Sequence, residues 1–113
     1  MTPKKLTDDL SVAGQVQPSE LADVKSQGFG SIIVNRPDRE GADQPSFEAL
    51  RAAAEEAGLA ARYIPVAGGI GLEQVEAFAD ALDELPKPIL AFCKSGMRSE
   101  ALWQGVQQLR ARS

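Results

Sequence analysis

Short apolar runs alternate along this chain with longer amphipathic stripes, and nearly every junction carries glycine or proline. That alternation constrains the fold more than any other feature. Ser31-Ile-Ile-Val-Asn35, bounded by Gly30 and Pro37, and Ile89-Leu-Ala-Phe-Cys93, which follows Pro88, read as buried strands. Leu10-Ser-Val-Ala-Gly14 and Ala61-Arg-Tyr-Ile-Pro-Val66 read as two more, the second with an end blurred by Pro65. The first helix has Pro18 in its opening turn, Glu20 near its N-terminus and Gly28 as its stop. A second runs from near Pro45 to Gly58 with Phe47, Leu50, Ala54 and Ala57 on one face. The third carries the stripe Leu72, Val75, Phe78, Ala79, Leu82 and Leu85, and the last runs from Ser99 to Arg110 with Leu102, Val106 and Leu109 inward.

This order predicts an α/β fold, a three-layer sandwich with a four-stranded, mostly parallel central sheet flanked by helices. Right-handed crossovers then gather the loops that follow the strands (15–17, 36–44, 67–71 and 93–98) on one edge, where ligands of open α/β sheets bind. A chain of 113 residues fits one domain, residues 1–113.

Few residue types remain for chemistry. The chain has no His and one Cys, which excludes Ser-His-Asp triads, Cys-His dyads, His-containing zinc sites and an internal disulfide. Neither a metal nor a cofactor is expected. Lys and Arg number 12 against 16 Asp and Glu, a net charge of −4, so no global basic field exists to hold nucleic acid. No run approaches the ~18 apolar residues of a membrane span, so no membrane partner is expected. Met1–Leu10 has no apolar core of a secretory leader, and a free thiol in such a chain points to the cytoplasm.

The informative segment is Cys93-Lys-Ser-Gly-Met-Arg-Ser99, set directly between a buried strand and a helix. Such a turn aims backbone N–H groups into one concavity at the positive end of a helix, a site for a small oxyanion or a phosphate ester. Gly96 lets the backbone bend inward, and Arg98 supplies a bidentate donor for tetrahedral oxygens. The same field favours Cys93 as a thiolate nucleophile. Ser99 is a candidate to hydrogen-bond the sulfur and help it leave. Lys94, Ser95, Gly96 and Met97 form the substrate-binding turn, Lys94 adding charge and Met97 shaping the entrance. The ordinary role of a lone cysteine at a strand end is packing. The Gly, Arg and Ser that follow at fixed spacing argue for function.

An apolar strand, Cys-x-x-Gly-x-Arg-Ser and a helix resemble the active-site loops of Cys-dependent phosphatases and of rhodanese-type sulfurtransferases. The chain from Leu6 to about Arg110 is more closely similar to the bacterial beta-lactamase hydrolase-like phosphatase domains, some of whose members are labelled sulfurtransferases. The similarity includes Leu10-Ser-Val-Ala-Gly-Gln15, Ile33-Val-Asn-Arg-Pro-Asp38, Gln44-Pro-Ser46, Ile64-Pro-Val66, Leu85-Pro86 and Cys93–Ser99. The resemblance implies a single phosphatase-like domain with a tyrosine/dual-specificity phosphatase-like fold. The family name points to a metallohydrolase, fused or as a partner, as its associate.

Two features separate the two chemistries. The tyrosine-phosphatase signature has His before its Cys and five residues between Cys and Arg. Here Phe92 precedes Cys93, and only four residues, Lys94 to Met97, separate it from Arg98, the length seen in rhodaneses. A rhodanese, however, normally continues past its active-site helix into another short strand, whereas Cys93 on the last strand before one helix fits the phosphatase-like order. Phosphatases of this kind carry an Asp in the loop that here reads Ala67-Gly-Gly-Ile-Gly71. Asp38 is therefore the candidate general acid, its alternative being to cap its own turn beside Pro37. Glu40, Asp43 and Glu73 are poorer choices. Arg36 is a candidate second cation over the pocket or a surface ion-pair partner of a nearby acid. Gln15 suits a turn or a ligand contact, and Trp103, off the helical stripe, suits packing, a pocket mouth or a homodimer contact.

Overall fold

Four parallel strands end level with one another. The computed structural model describes residues 2–112, and its sheet has the order β1-β2-β5-β3-β4. Here β1 is Lys4–Thr7, β2 Leu10–Ala13, β3 Ser31–Val34, β4 Ala60–Tyr63 and β5 Ile89–Phe92. Register pairs Ala13 with Phe92, Phe92 with Val34, and Val34 with Tyr63, so the chain leaves all four strands at the same edge. β5 lies between β2 and β3, which places Cys93 at the middle of that edge.

The expected four-stranded sheet gains a fifth strand, β1, which pairs antiparallel with β2. Its sequence, Lys-Lys-Leu-Thr, has its two lysines exposed and lacks the apolar run of a central strand. Both faces of the sheet are covered by helices, and the alternation of side chains along each strand assigns them. Ile89, Ala91, Ile33, Leu10 and Val12 pack with Val75, Phe78, Leu102 and Val106 of α3 (Leu72–Glu84) and α4 (Met97–Ala111). Leu90, Phe92, Ile32, Val34 and Ala13 pack with Leu21, Val24, Leu50 and Ala54 of α1 (Leu21–Ser26) and α2 (Phe47–Ala57). The result is the three-layer α/β sandwich that the alternation predicts.

Local chemistry sets the helix ends. Ser46 caps α2 through a 3.1 Å hydrogen bond from the Ala49 amide, and Gly58 ends it in the left-handed region at φ 82°. The first helix is shorter than its pattern suggests, because Pro18–Glu20 forms a separate 3-10 turn before α1. The last begins two residues early, at Met97, which brings Arg98 into its first turn. Trp103 is partly buried against the core and lines a hollow with Leu10, Leu82 and Ile89 at the opposite end of the sheet from Cys93. Among the described residues, no helix is long and apolar enough to cross a membrane.

Phe78 is fully buried between the sheet and α4. Phe78→Ala is expected to destabilise the fold by about 3–5 kcal/mol, a large part of the ~5–15 kcal/mol typical of a domain. A shift in the midpoint of urea unfolding measures it.

Candidate active site

The turn after β5 folds back over its own cysteine. Gly96 takes φ 94°, a left-handed conformation, and a Cβ there would lie 3.2 Å from the Ala13 carbonyl oxygen. That conformation turns the Gly96 N–H inward, where it donates to Cys93 Sγ at 3.0 Å. On the outer side the Ser95 hydroxyl accepts from the Met97 amide at 3.4 Å, and the Lys94 carbonyl accepts from the Gln15 amide at 3.2 Å. The Lys94, Ser95 and Met97 side chains are exposed around the turn.

Two opposed influences act on the Cys93 thiol. Burial is the larger single one and pushes its pKa up; the backbone N–H groups of Ser99, Ser95, Arg98 and Gly96 oppose it and together prevail. The balance lies below the ordinary thiol value, although Cys93 is fully buried. No imidazole takes part. An acid with a depressed native pKa adds stability above its unfolded value, and that contribution is lost as pH falls through the native one.

The nearby Cys93 sulfur adds to the rise of the Arg98 pKa, behind the larger effect of Glu40. Its guanidinium donates to Glu40 Oε2 at 2.7 Å and the Val66 carbonyl at 2.9 Å through Nη1, and to Glu40 Oε1 at 2.8 Å through Nη2. Glu40 also accepts from Arg36 Nε at 3.0 Å, and Arg36 Nη1 donates to Gln15 Oε1 at 3.1 Å. Arg36 takes the ion-pair role of its two expected ones and is linked to Arg98 through the shared Glu40 carboxylate. The Arg98 hydrogen bond is the main reason that the Glu40 carboxyl is lowered to about 2; burial opposes it and Arg36 reinforces it. Glu40 is ionised at neutral pH and is no proton donor there.

Two expected roles change. The Ser99 hydroxyl donates to Asn35 Oδ1 at 2.7 Å, so it is the Ser99 backbone amide that faces the sulfur. Asp38 is bound elsewhere: its Oδ1 accepts from the Phe47 amide at 2.7 Å, the first N–H of α2, and its own amide donates to the Tyr63 hydroxyl at 2.9 Å. The loop 67–71 touches the site through its flank, where the Val66 carbonyl holds Arg98.

Asn35 escaped the sequence reading. It is fully buried, donates through Nδ2 to the Ile64 carbonyl at 2.9 Å and accepts from Ser99, tying the ends of β3 and β4 to the first turn of α4. The sequence signal for it is a polar residue closing a β-branched run.

The sheet order and its helices give this chain a tyrosine/dual-specificity phosphatase-like α/β fold, with the buried cysteine between a central parallel strand and a helix. A family model for the phosphatase-like domain of beta-lactamase hydrolase-like proteins matches residues 3–110, and the chain belongs to that family. The beta-lactamase hydrolase-like protein of Xylella fastidiosa is 36% identical over 99 residues, which cover 87% of this chain and 23% of that protein. The chain thus spans less than a quarter of the curated relatives it matches. A Neisseria meningitidis structure, provisionally described as a phosphatase, is 34% identical with a TM-score of 0.81 over 88% of this chain and 71% of its own. The core catalytic domain of the Saccharomyces cerevisiae PP-IP phosphatase Siw14 shares the fold, with a TM-score of 0.73 at 16% identity over 98% of this chain and 68% of its own.

Two outcomes follow. The rate of Cys93 alkylation by iodoacetamide should level off with rising pH below the range of a free thiol, and Gly96→Ala should move that midpoint up by losing the Gly96 hydrogen bond. Asn35→Ala should destabilise the protein by about 1–3 kcal/mol for each buried group left unpaired. Adding Ser99→Ala should then cost less than the sum of the single changes, as a double-mutant cycle in denaturant measures.

Proposed function

We propose that the chain is a Cys-dependent phosphatase of phosphate monoesters, acting best on those with aryl leaving groups. The observation that carries this reading is the turn itself: the Gly96 amide donates to Cys93 Sγ at 3.0 Å, Arg98 stands in the first turn of the helix that follows, and the surrounding backbone amides lower the thiol pKa. Donors that favour a thiolate are suited to hold the equatorial oxygens of a phosphoryl group attached to it. The thiolate attacks phosphorus, a P–S bond forms, and the P–O ester bond breaks as the leaving group departs with its electron pair. Water then attacks phosphorus, loses a proton to solvent, and displaces the thiolate with release of inorganic phosphate. Lys94, Ser95, Gly96 and Met97 frame the substrate, and the Ser99 amide stabilises the departing sulfur.

The preference for aryl esters follows from the acids. Glu40 is ionised and Asp38 is hydrogen-bonded to α2, so leaving groups that need no protonation react fastest. Asp38 acts as the acid only by exchanging the Phe47 amide for the leaving oxygen. In that case Asp38→Asn slows alkyl esters far more than p-nitrophenyl phosphate.

A second reading, a rhodanese-like sulfurtransferase, is favoured by the four-residue spacing between Cys93 and Arg98. There the thiolate attacks the sulfane sulfur of thiosulfate, the S–S bond breaks with release of sulfite, and the Cys93 persulfide passes that sulfur to an acceptor such as cyanide. A non-catalytic role, binding an anion or a partner such as a fused metallohydrolase, is what remains if neither reaction occurs.

Paired assays of p-nitrophenyl phosphate hydrolysis and thiosulfate–cyanide transfer, each with Cys93→Ser, decide among them. The expected result is phosphate release that is abolished in Cys93→Ser and sulfur transfer near background. Phosphate release that survives the substitution overturns the phosphatase reading, and robust Cys93-dependent thiocyanate formation replaces it with the second.

A further inference from the structure

The Arg36–Glu40–Arg98 cluster has two possible meanings, a plug that occupies the anion site or a brace that aims Arg98, and they differ in which guanidinium donors Glu40 takes. An arginine carries five N–H donors in a fixed plane. Glu40 engages Nη1 and Nη2 end-on, and the other Nη1 hydrogen goes to the Val66 carbonyl. What remains is Nε–H and the second Nη2–H, which lie side by side and form the other bidentate edge of the group. These are the donors left for an oxyanion held in the Cys93 turn, next to the sulfur whose proximity adds to the rise of the Arg98 pKa.

The loop that presents Glu40 is built around this arrangement. Arg39 takes φ 62°, a left-handed conformation that disfavours side chains. The Gln44 side chain bridges the Gly41 amide at 2.7 Å and the Pro37 carbonyl at 2.8 Å, closing the loop on itself. A Cβ on Gly41 would lie 2.5 Å from Arg36 Nη2, so the loop backbone passes against the arginine that buttresses Glu40. The Arg36 side chain is 11% exposed and that of Glu40 31%, which makes the first a wall and the second a rim.

We propose that Glu40, backed by Arg36, is the positioning residue that fixes Arg98 with its Nε–Nη2 edge toward an oxyanion on Cys93. Glu40 acts through Arg98 and does not touch the substrate. The role rests on the oxyanion-binding reading of the Cys93 turn. It matters more in this turn than in one with a further residue, because the shorter ring supplies fewer amides and leans more on one guanidinium.

Wild-type protein, Glu40→Gln, Glu40→Ala and Gly41→Ala are compared by calorimetric titration with tungstate, by kcat and KM for p-nitrophenyl phosphate, and by thermal unfolding. Glu40→Gln and Glu40→Ala should lower the unfolding temperature while keeping a cooperative transition above the assay temperature, weaken tungstate binding by about tenfold or more, and lower kcat by about tenfold to a hundredfold with a smaller change in KM. Gly41→Ala, which pushes on Arg36 from outside the cluster, should shift binding and kcat in the same direction by less. Equal or tighter tungstate binding with equal or faster turnover in Glu40→Ala overturns the brace and makes Glu40 a plug or a bystander. Wild-type protein that turns over or binds oxyanions while both Glu40 variants match it refutes the positioning role alone. Absence of tungstate binding by wild-type protein overturns the oxyanion reading and the role of Glu40 together.

Discussion

Backbone amides outweigh the desolvation that burial imposes on the Cys93 thiol and hold its pKa below the ordinary thiol value, although the side chain is fully buried. Amide dipoles can do this only when several point at one atom without adjusting to it, which requires a rigid turn. The turn has three anchors. One is the strand behind it, held on both sides by β2 and β3. Another is the left-handed Gly96, whose backbone approaches the Ala13 carbonyl too closely for a side chain. The last is α4, whose first turn supplies the Arg98 and Ser99 amides.

The sheet register does the remaining work at a distance. Because four parallel strands end level, Gln15, Asn35, Val66 and Cys93 follow their strands at one edge, where the Val66 amide donates to the Asn35 carbonyl and the Gln15 amide to that of Lys94. The Asn35–Ser99 hydrogen bond is the deepest of these ties. Two fully buried polar side chains satisfy each other there, and neither has water as an alternative. Such a pair rewards one arrangement of β3 against α4, so it sets where the Ser99 amide sits relative to the sulfur. Helix α3 packs on the sheet through Val75, Phe78 and Leu82 and pairs Asp83 with Arg110 and Glu84 with Arg62, away from the Cys93 edge.

What the sequence made legible follows from how local each feature is. The four parallel strands and the helices are written in runs of consecutive residues, and the Cys93–Ser99 turn is a continuous motif whose geometry depends chiefly on its own Gly and on the helix that follows. β1 was missed because an edge strand with exposed lysines needs no apolar alternation. Asp38 looked like an acid near the site because its loop faces that edge, but its carboxylate is captured by the N-terminus of α2, nine residues along the chain. Asn35 and Glu40 are partners of Ser99 and Arg98 at separations of 64 and 58 residues. No spacing rule spans such a distance, and only the folded register brings them together.

The length of the turn and the identity of the fold pull toward different chemistries, and the charge balance at the site shows why both remain open to one scaffold. Phosphoryl transfer and sulfane-sulfur transfer each begin from a thiolate and each place an anion next to a fixed cation. They differ in how many oxygens must be held at once. A phosphoryl group needs donors around three equatorial oxygens, whereas a persulfide presents one terminal sulfur. With four residues between Cys93 and Arg98, the amides alone form a narrow cradle, and Arg98 must supply a larger share of the donors to a phosphoryl group. The number of guanidinium N–H groups left over after Glu40 and Val66 have taken theirs is therefore what limits the size of anion the turn can hold.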